Sequence, residues 1–236
     1  MKNQIKNSLV RHLNVNLAVF GLIGAMLVGG VVFASDTSNF TQTITSGTLS
    51  VDIVDGSYVT VGSPSVAFGS LSFSFACRTG GSRASGSFGT STQQIYVSNP
   101  DAADNGWTVT LAGSATTNVW DSAGTDYDFN DPTSSGCGDG ADAGDTVGGQ
   151  MTVDPSGATL AAGACASCTT TSVSLGSSDA FDEGSTDDIT IVTGASGSDD
   201  IGDWTVQGVS ILNTVPAEQP AASDYNIDMT LSIVAS

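Results

Sequence analysis

Short runs of alternating polar and apolar residues constrain the fold of this chain more than any other feature. In residues 65–77, Leu71, Phe73 and Phe75 alternate with serines, which predicts a strand with one buried and one solvated face. Nine such runs, rich in Thr, Val and Ile and bounded by turn-forming residues, predict strands. These runs occupy residues 40–54, 65–77, 93–99, 106–113, 150–155, 169–176, 187–194, 203–212 and 225–236.

The acidic residues support an all-β protein, because they are almost wholly aspartate. Of 24 acids only Glu183 and Glu218 are glutamates, and the chain also has 29 glycines. Aspartate and glycine favour turns and disfavour helices. We therefore predict a single antiparallel β-sandwich over residues 35–236, of the size that one all-β domain commonly reaches.

The N-terminus resembles a secretory signal peptide. A basic stretch with Lys2, Lys6 and Arg11 precedes an apolar run over residues 17–34, which ends on the small residue Ala34. Cleavage after Ala34 is therefore expected, with residues 1–34 as the leader. An uncleaved membrane anchor is the alternative, and the leader would then be the only contact with a membrane.

The charge balance excludes two classes of partner. Beyond residue 34 the only basic residues are Arg78 and Arg83, against 24 acids, which gives residues 35–236 a formal charge of −22. Binding to nucleic acid requires Lys and Arg to displace phosphate counterions, so nucleic acid is not expected as a partner. Anionic membrane surfaces are excluded for the same reason.

The four cysteines predict two disulfides, because they occur in even number behind a secretion signal. Three pairings are open, of which we favour Cys77 with Cys137 and Cys165 with Cys168. A four-cysteine zinc site is the alternative, but it usually has two CxxC pairs and this sequence has one. A redox-active CxxC is not expected, because no βαβ pattern adjoins it.

The residues beyond the leader lack the groups that most hydrolases need. The only histidine, His12, and both lysines lie in the leader, which excludes Ser-His-Asp, Cys-His and Ser-Lys catalysis. A carboxylate pair of the glycosidase kind remains, for which Asp182, Glu183 and Glu218 are candidates. An Asp-rich surface supplies such pairs by chance, so we do not expect an enzyme.

An acidic loop, residues 121–147, is the strongest anomaly in the sequence. Its aspartates have no basic neighbour, and in an extended chain Asp126, Asp128 and Asn130 would lie on one face. Calcium takes six to eight oxygen ligands of this kind, so we predict a Ca²⁺ site. A solvated acidic loop is the alternative. The candidate ligands are Asp126, Asp128, Asn130, Asp131, Asp139 and Asp142.

Two segments resemble the signatures of WxL-type surface domains. The first is "NPDAADNGWTVTLAG", residues 99–113, which contains Trp107, and the second is "VPAEQPAASDYNIDMTLSIVAS", residues 215–236, which contains Tyr225. The resemblance implies a secreted β-sandwich held non-covalently to the bacterial cell wall, with Trp107 and Tyr225 as wall-binding residues. For Trp107 a place in the core of an alternating strand is the competing interpretation.

The segment after the leader, "FTQTITSGTLSVDIV", is similar to the start of the TasA and camelysin group of secreted fibre and surface proteins. This resemblance implies a jelly-roll-like subunit that assembles into fibres. The expectation from the whole sequence is a secreted, non-catalytic protein of the cell surface or cell wall, bound to a wall polymer or to other surface proteins. The alternatives are a fibre-forming subunit of an extracellular matrix or pilus-like filament, and a carbohydrate-binding module.

Overall fold

A computed structural model describes Asn14 and residues 41–101, 105–131, 137–138 and 148–236. The predicted leader, residues 1–34, lies outside the described part apart from Asn14. Contacts divide the chain into two units, Met1–Ile44 and Thr45–Ser236. The second unit contains every strand described below.

The described residues form an all-β structure, which confirms the predicted fold class. Twelve strands and a single 3₁₀ turn, Gly80–Ser82, are present in this part of the chain. The strands are β1 (Ser50–Val54), β2 (Ala84–Phe88), β3 (Gln94–Asn99), β4 (Trp107–Gly113), β5 (Gln150–Asp154), β6 (Thr159–Ala162), β7 (Val173–Leu175), β8 (Asp179–Ala180), β9 (Asp188–Gly194), β10 (Gly202–Gln207), β11 (Val209–Thr214) and β12 (Met229–Ala235).

The strands form three antiparallel sheets of four strands each within the described residues. The first sheet has the order β1-β3-β10-β6, the second β2-β11-β5-β8 and the third β12-β4-β9-β7. The register is regular except between Val109 and Thr110, where β4 shifts against β9. Neighbours along the chain, such as β10 and β11, belong to different sheets, so the sheets cover one another in a sandwich-like arrangement.

One hydrophobic core is shared by the three sheets. The rings of Trp107 on β4 and Trp204 on β10 lie 5.2 Å apart between centroids, which joins the third sheet to the first. Met151 on β5 and Ile211 on β11 bring the second sheet into the same cluster. Strand β10 is buried along nearly its whole length, as expected for a strand in the middle of a packed domain.

Gly208 divides the predicted run 203–212 into two strands. Its φ of +81° belongs to the left-handed region that glycine tolerates, and its N–H donates to the carbonyl of Gly89 at 2.7 Å. The chain therefore leaves the first sheet after Gln207 and enters the second at Val209. Alternation alone could not reveal this, because both strands keep an apolar face toward the same core.

The predicted strand over residues 65–77 is wrong. This segment contains no strand, and its one ladder contact is an isolated bridge between Phe68 and Gly86. Phe73 and Phe75 are 49% and 80% exposed, and their rings pack edge to face on each other. The backbone is occupied by other partners: Arg78 donates to the carbonyl of Ser72, and the N–H of Glu218 donates to that of Ser74.

Three strands were not predicted: β2, β6 and β8. Each is short or rich in small residues, with sequences ASGSF, TLAA and DA, so none shows a readable alternation. In the part of the chain that the structure describes, no helix has the length and apolar character needed to cross a bilayer.

Candidate functional site

Residues 127–131 of the acidic loop are buried rather than solvated. Residues 127–131, Tyr-Asp-Phe-Asn-Asp, are each at most 5% exposed, so they do not alternate between a wet and a dry face. The N–H of Met151 donates to the carbonyl of Phe129 at 2.6 Å, and that of Asp131 donates to Gly149 at 3.0 Å. The solvated-loop alternative therefore does not describe residues 127–131, whereas the one-face arrangement of Asp126, Asp128 and Asn130 stays a prediction.

Two of the predicted calcium ligands, Asp126 and Asp128, accept hydrogen bonds from nearby backbone N–H groups. Asp128 Oδ1 accepts the N–H groups of Phe129 and Asn130, at 2.5 and 3.3 Å, and Asp126 Oδ1 accepts that of Ser122 at 2.9 Å. The carboxylate oxygens of Asp126, Asp128 and Asp131 do not form a group in which all three residues lie within 4.8 Å of one another. Asp139 and Asp142 lie outside the described residues, so the complete set stays a prediction.

Trp107 is not a surface residue, which corrects the wall-binding role that the resemblance implied. Its side chain is 1% exposed and packs on Trp204. A Cβ atom on Gly194 would overlap the Trp107 ring, so the glycine makes room for the indole. A polymer outside the protein cannot reach this ring, and the competing interpretation as a core aromatic is correct.

Tyr225 lies at the surface, between two neighbouring cavities. The Arg78 cavity, of about 400 Å³, is bounded by residues 66–74 and 213–225. The β12 cavity, of about 610 Å³, lies between β1 and β12. Both cavities are lined by Val66, Phe68, Trp120 and Tyr225.

Hydrogen bonds fix the position of Tyr225. Its hydroxyl donates to the carbonyl of Pro220 at 2.7 Å and accepts the side-chain amide of Gln219 at 2.9 Å. The same amide donates to the carbonyl of Thr125 at 2.7 Å. Asp224 adds a further link, because the N–H of Ala123 and the hydroxyl of Ser122 donate to its carboxylate and lower its pKa.

The Arg78 cavity combines aromatic rings with a cation. Five aromatic side chains line it, namely Phe68, Phe73, Trp120, Tyr127 and Tyr225. No carboxylate is found among its described lining residues. The guanidinium of Arg78 donates a hydrogen bond to the backbone carbonyl of Ser72.

Buried polar atoms collect around the same cavity. Arg78 Nε, Trp120 Nε1 and Asn213 Oδ1 have no hydrogen-bond partner among the described residues. Tyr127 accepts the Asn213 side-chain amide at 2.9 Å, and burial raises the pKa of its hydroxyl far above the ordinary value. Such orphaned groups are rare in folded proteins and often mark the place of a bound water or ligand.

The structure contains both disulfides, with the favoured pairing. The Cα atoms of Cys77 and Cys137 lie 5.7 Å apart, and those of Cys165 and Cys168 lie 5.5 Å apart. The four-cysteine zinc alternative is therefore wrong. The first bridge adjoins Arg78 and ties the wall of its cavity to the acidic loop.

Asp203 organises a second polar site, which the sequence did not indicate. It is 7% exposed, and its Oδ2 accepts the hydroxyl of Tyr96 at 2.6 Å and the N–H of Ala164 at 2.8 Å. Burial and this carboxylate raise the pKa of Tyr96 to about 12. A lone Asp at the start of a strand, directly before Trp204, carries no signal of such a role in the sequence.

The glycosidase-type candidates do not line either cavity. Asp182 and Glu183 lie at a turn in which the N–H of Asp182 donates to the carbonyl of Thr186 at 3.1 Å. Glu218 is exposed on the segment between β11 and β12. The described residues thus place no candidate acid pair in a cavity where a sugar could bind.

Comparison with protein-family models, with curated proteins and with solved structures gives no match for this chain. The WxL and TasA/camelysin resemblances therefore remain hypotheses.

Proposed function

We propose that this chain is a secreted, non-catalytic protein of the bacterial cell surface that attaches non-covalently to the cell wall. The observation that carries the proposal is the Arg78 cavity, whose described lining combines five aromatic side chains with one cation and contains no carboxylate. Wall polymers combine apolar sugar faces with hydroxyl and carboxylate groups. Aromatic rings suit the former and a guanidinium suits the latter.

The residue content and the disulfides support the same proposal. Two disulfides are typical of proteins in an oxidising, extracellular compartment. Histidine and lysine are absent beyond residue 34, which removes the common nucleophile activators. Tyr225 remains a wall-binding candidate, whereas Trp107 is replaced in this role by the cavity residues Trp120 and Arg78.

Co-sedimentation with peptidoglycan sacculi tests the proposal. Arg78→Gln should weaken binding by about tenfold or more, as expected for the loss of a hydrogen bond to a charged group. Arg83→Gln is the matched control, because Arg83 donates to Thr152 at 3.1 Å and lines neither cavity. Failure of the unmodified protein to sediment, or equal loss in both variants, would contradict the proposal. Cell fractionation into membrane, wall and medium provides an independent check on location.

The second candidate is a fibre-forming subunit, and strand β12 favours it. This strand pairs only with β4, so its other edge has no strand partner among the described residues. Residues 229–236 carry no charge, and Val234 is 66% exposed. An uncharged edge strand is a template for pairing with another chain. Electron microscopy of the purified domain should show fibres or sheets if this candidate is correct, and Ser232→Lys should prevent them.

A carbohydrate-binding module is the remaining alternative, and it uses the same cavities. Unlike a protein that attaches to the intact cell wall, such a module should bind soluble oligosaccharides as a monomer. Isothermal titration of the monomer with wall-derived oligosaccharides separates it from attachment to sacculi alone.

Calcium is proposed as a structural ligand of the acidic loop. Asp126, Asp128, Asn130 and Asp131 offer four oxygen-bearing side chains within six residues, and Ca²⁺ takes six to eight oxygen ligands. Asp139 and Asp142 would complete the set.

A further inference from the structure

A loop between β6 and β7 brings three metal-ligand side chains together. The Sγ atoms of Cys165 and Cys168 and a carboxylate oxygen of Asp203 all lie within 4.8 Å of one another. Asp203 lies on β10, 35 residues beyond Cys168, so tertiary structure rather than sequence creates the group. In this structure the two sulfurs form a disulfide.

The carboxylate of Asp203 is held in place but retains a free acceptor position. An ionised carboxylate offers about four lone-pair positions, two on each oxygen. Tyr96 and Ala164 donate to Oδ2, at 2.6 and 2.8 Å, whereas among the described residues Oδ1 accepts the N–H of Cys165 alone, at 2.9 Å. A Cβ atom at position 163 would lie 2.8 Å from Oδ2, so Gly163 allows the backbone to approach the carboxylate this closely.

The loop is anchored independently of the disulfide. The indole N–H of Trp204 donates to the carbonyl of Thr169 at 2.7 Å, and the N–H of Thr169 donates to Asp199 Oδ2 at 2.6 Å. The N–H of Gly163 donates to the carbonyl of Asp203 at 2.8 Å. These bonds lie on both sides of the CxxC segment and do not depend on the sulfur–sulfur bond.

We propose that reduction of the Cys165–Cys168 disulfide creates a binding site for a thiophilic divalent cation of the zinc class. The ligands are the two Sγ atoms and Asp203 Oδ1, with water in the remaining position. Reduction takes two electrons from a dithiol, which is itself oxidised to a disulfide, and leaves two protein thiols. Metal binding then releases the two thiol protons to water.

The chemistry of the group favours this class of cation. A CxxC segment is a common zinc-ligand spacing, and cysteine thiolates select soft or borderline metals over calcium and magnesium. Two thiolates and a carboxylate carry a charge of −3, whereas the hydrogen-bond donors to Asp203 are neutral groups. The hydrogen bonds to its carboxylate are of the kind that orients metal ligands.

Anaerobic titration with Co²⁺ and Zn²⁺ tests the proposal. The protein is reduced with dithiothreitol and freed of it by gel filtration, and circular dichroism verifies the fold. Reduced protein should bind one Co²⁺ with a thiolate charge-transfer band that Zn²⁺ displaces, whereas oxidised protein should show no such band. The variant Cys77→Ser/Cys137→Ser should retain the band, because its only thiols are those of the proposed site.

Two substitutions assign the ligands. Cys165→Ser should abolish the band and leaves the backbone hydrogen bond to Asp203 in place. Asp203→Asn should weaken Co²⁺ binding at least tenfold, whereas Asp154→Asn, the matched control at a carboxylate that accepts the N–H and hydroxyl of Ser156, should leave it unchanged. Equal binding by oxidised protein, a reduced protein that is folded but does not bind, unfolding on reduction, or an unchanged affinity in Asp203→Asn would each overturn the proposal.

Discussion

At the residue scale, single aspartates hold the loops of this domain by accepting backbone N–H groups. Asp203 accepts those of Ala164 and Cys165, and Asp55 accepts those of Ser57 and Val59 at 2.8 and 3.0 Å. This use of aspartate explains how a chain with so few cations folds with so many acids. Each such carboxylate gains charge-assisted hydrogen bonds in place of an ion pair.

The proposed calcium site predicts a cation-specific gain in stability. Extracellular sites bind with Kd of about 10⁻⁴ to 10⁻³ M, so millimolar calcium should raise the melting temperature by about 1 to 5 °C. Asp126→Asn/Asp128→Asn should remove that gain, because both substitutions delete a charged ligand. Thermal melts monitored by circular dichroism measure the effect.

Two controls separate calcium binding from screening. Magnesium should raise the melting temperature less than calcium does, because it demands a tighter octahedral geometry. Sodium chloride at matched ionic strength corrects for screening of the acidic surface. An equal response to calcium and magnesium would show that the loop binds no specific ion.

Tyr96 predicts a loss of stability at alkaline pH. Its pKa is raised from 10.0 to about 12 by burial and by Asp203, so the folded state keeps a proton that the unfolded chain loses near pH 10. The stabilising contribution is therefore complete below pH 10 and disappears as the pH rises through about 12. Urea unfolding between pH 8 and 12 should show a flatter decline for Tyr96→Phe. A decline identical to that of the unmodified protein would contradict the prediction.

At the scale of elements, glycines allow a close backbone contact at one position and a sharp junction between two strands at another. Gly149 lies beside the buried acidic stretch, and a Cβ there would overlap the carbonyl oxygen of Asp128. Gly208 joins β10 to β11 with a φ of +81°, and nothing lies within 4 Å of an added Cβ. A side chain at position 149 is disfavoured by a backbone contact, whereas one at position 208 is disfavoured by the left-handed backbone conformation alone.

Alanine substitutions at these two glycines should therefore differ in cost. Gly208→Ala should cost about 1 to 2 kcal/mol, the strain of a left-handed residue. Gly149→Ala should cost about 3 kcal/mol or more, because two backbone segments must separate. Gly157→Ala is the control, since its Cβ meets nothing within 4 Å and its φ is outside the left-handed region. Urea denaturation gives the three values, and a smaller cost at Gly149 than at Gly208 would contradict this account.

At the scale of the whole molecule, the two disulfides differ in the length of chain that they close. Cys77 and Cys137 are separated by 60 positions, whereas Cys165 and Cys168 are separated by 3. The longer bridge joins the wall of the Arg78 cavity to the acidic loop. The shorter one acts within a loop that hydrogen bonds already anchor.

Removal of the long disulfide should destabilise the domain more than removal of the short one. Loop-closure entropy predicts a loss of about 4 kcal/mol for Cys77→Ser/Cys137→Ser and about 2 kcal/mol for Cys165→Ser/Cys168→Ser. Chemical denaturation of the two double variants provides the comparison. An equal or reversed order would show that strain or residual structure, rather than chain closure, governs their contribution.

The sequence by itself determined the fold class, most of the strands and the pairing of the cysteines. Runs such as residues 94–99 and 107–113 form strands because period-two alternation places their apolar side chains on one face. The even cysteine count and their spacing led to the pairing found in the structure. These are local or compositional properties, so they can be read without knowing which segments meet.

Only the tertiary structure decided which residues are buried, exposed or adjacent. Trp107 and Tyr225 looked alike as signature aromatics, yet one lies in the core and the other between two cavities. Phe73 and Phe75 alternate like core residues but are exposed, and Asp128 and Asp131 are buried despite their charge. Asp203 meets the CxxC segment across 35 positions of sequence. Burial and proximity depend on contacts between distant segments, and alternation within one segment carries no information about those contacts.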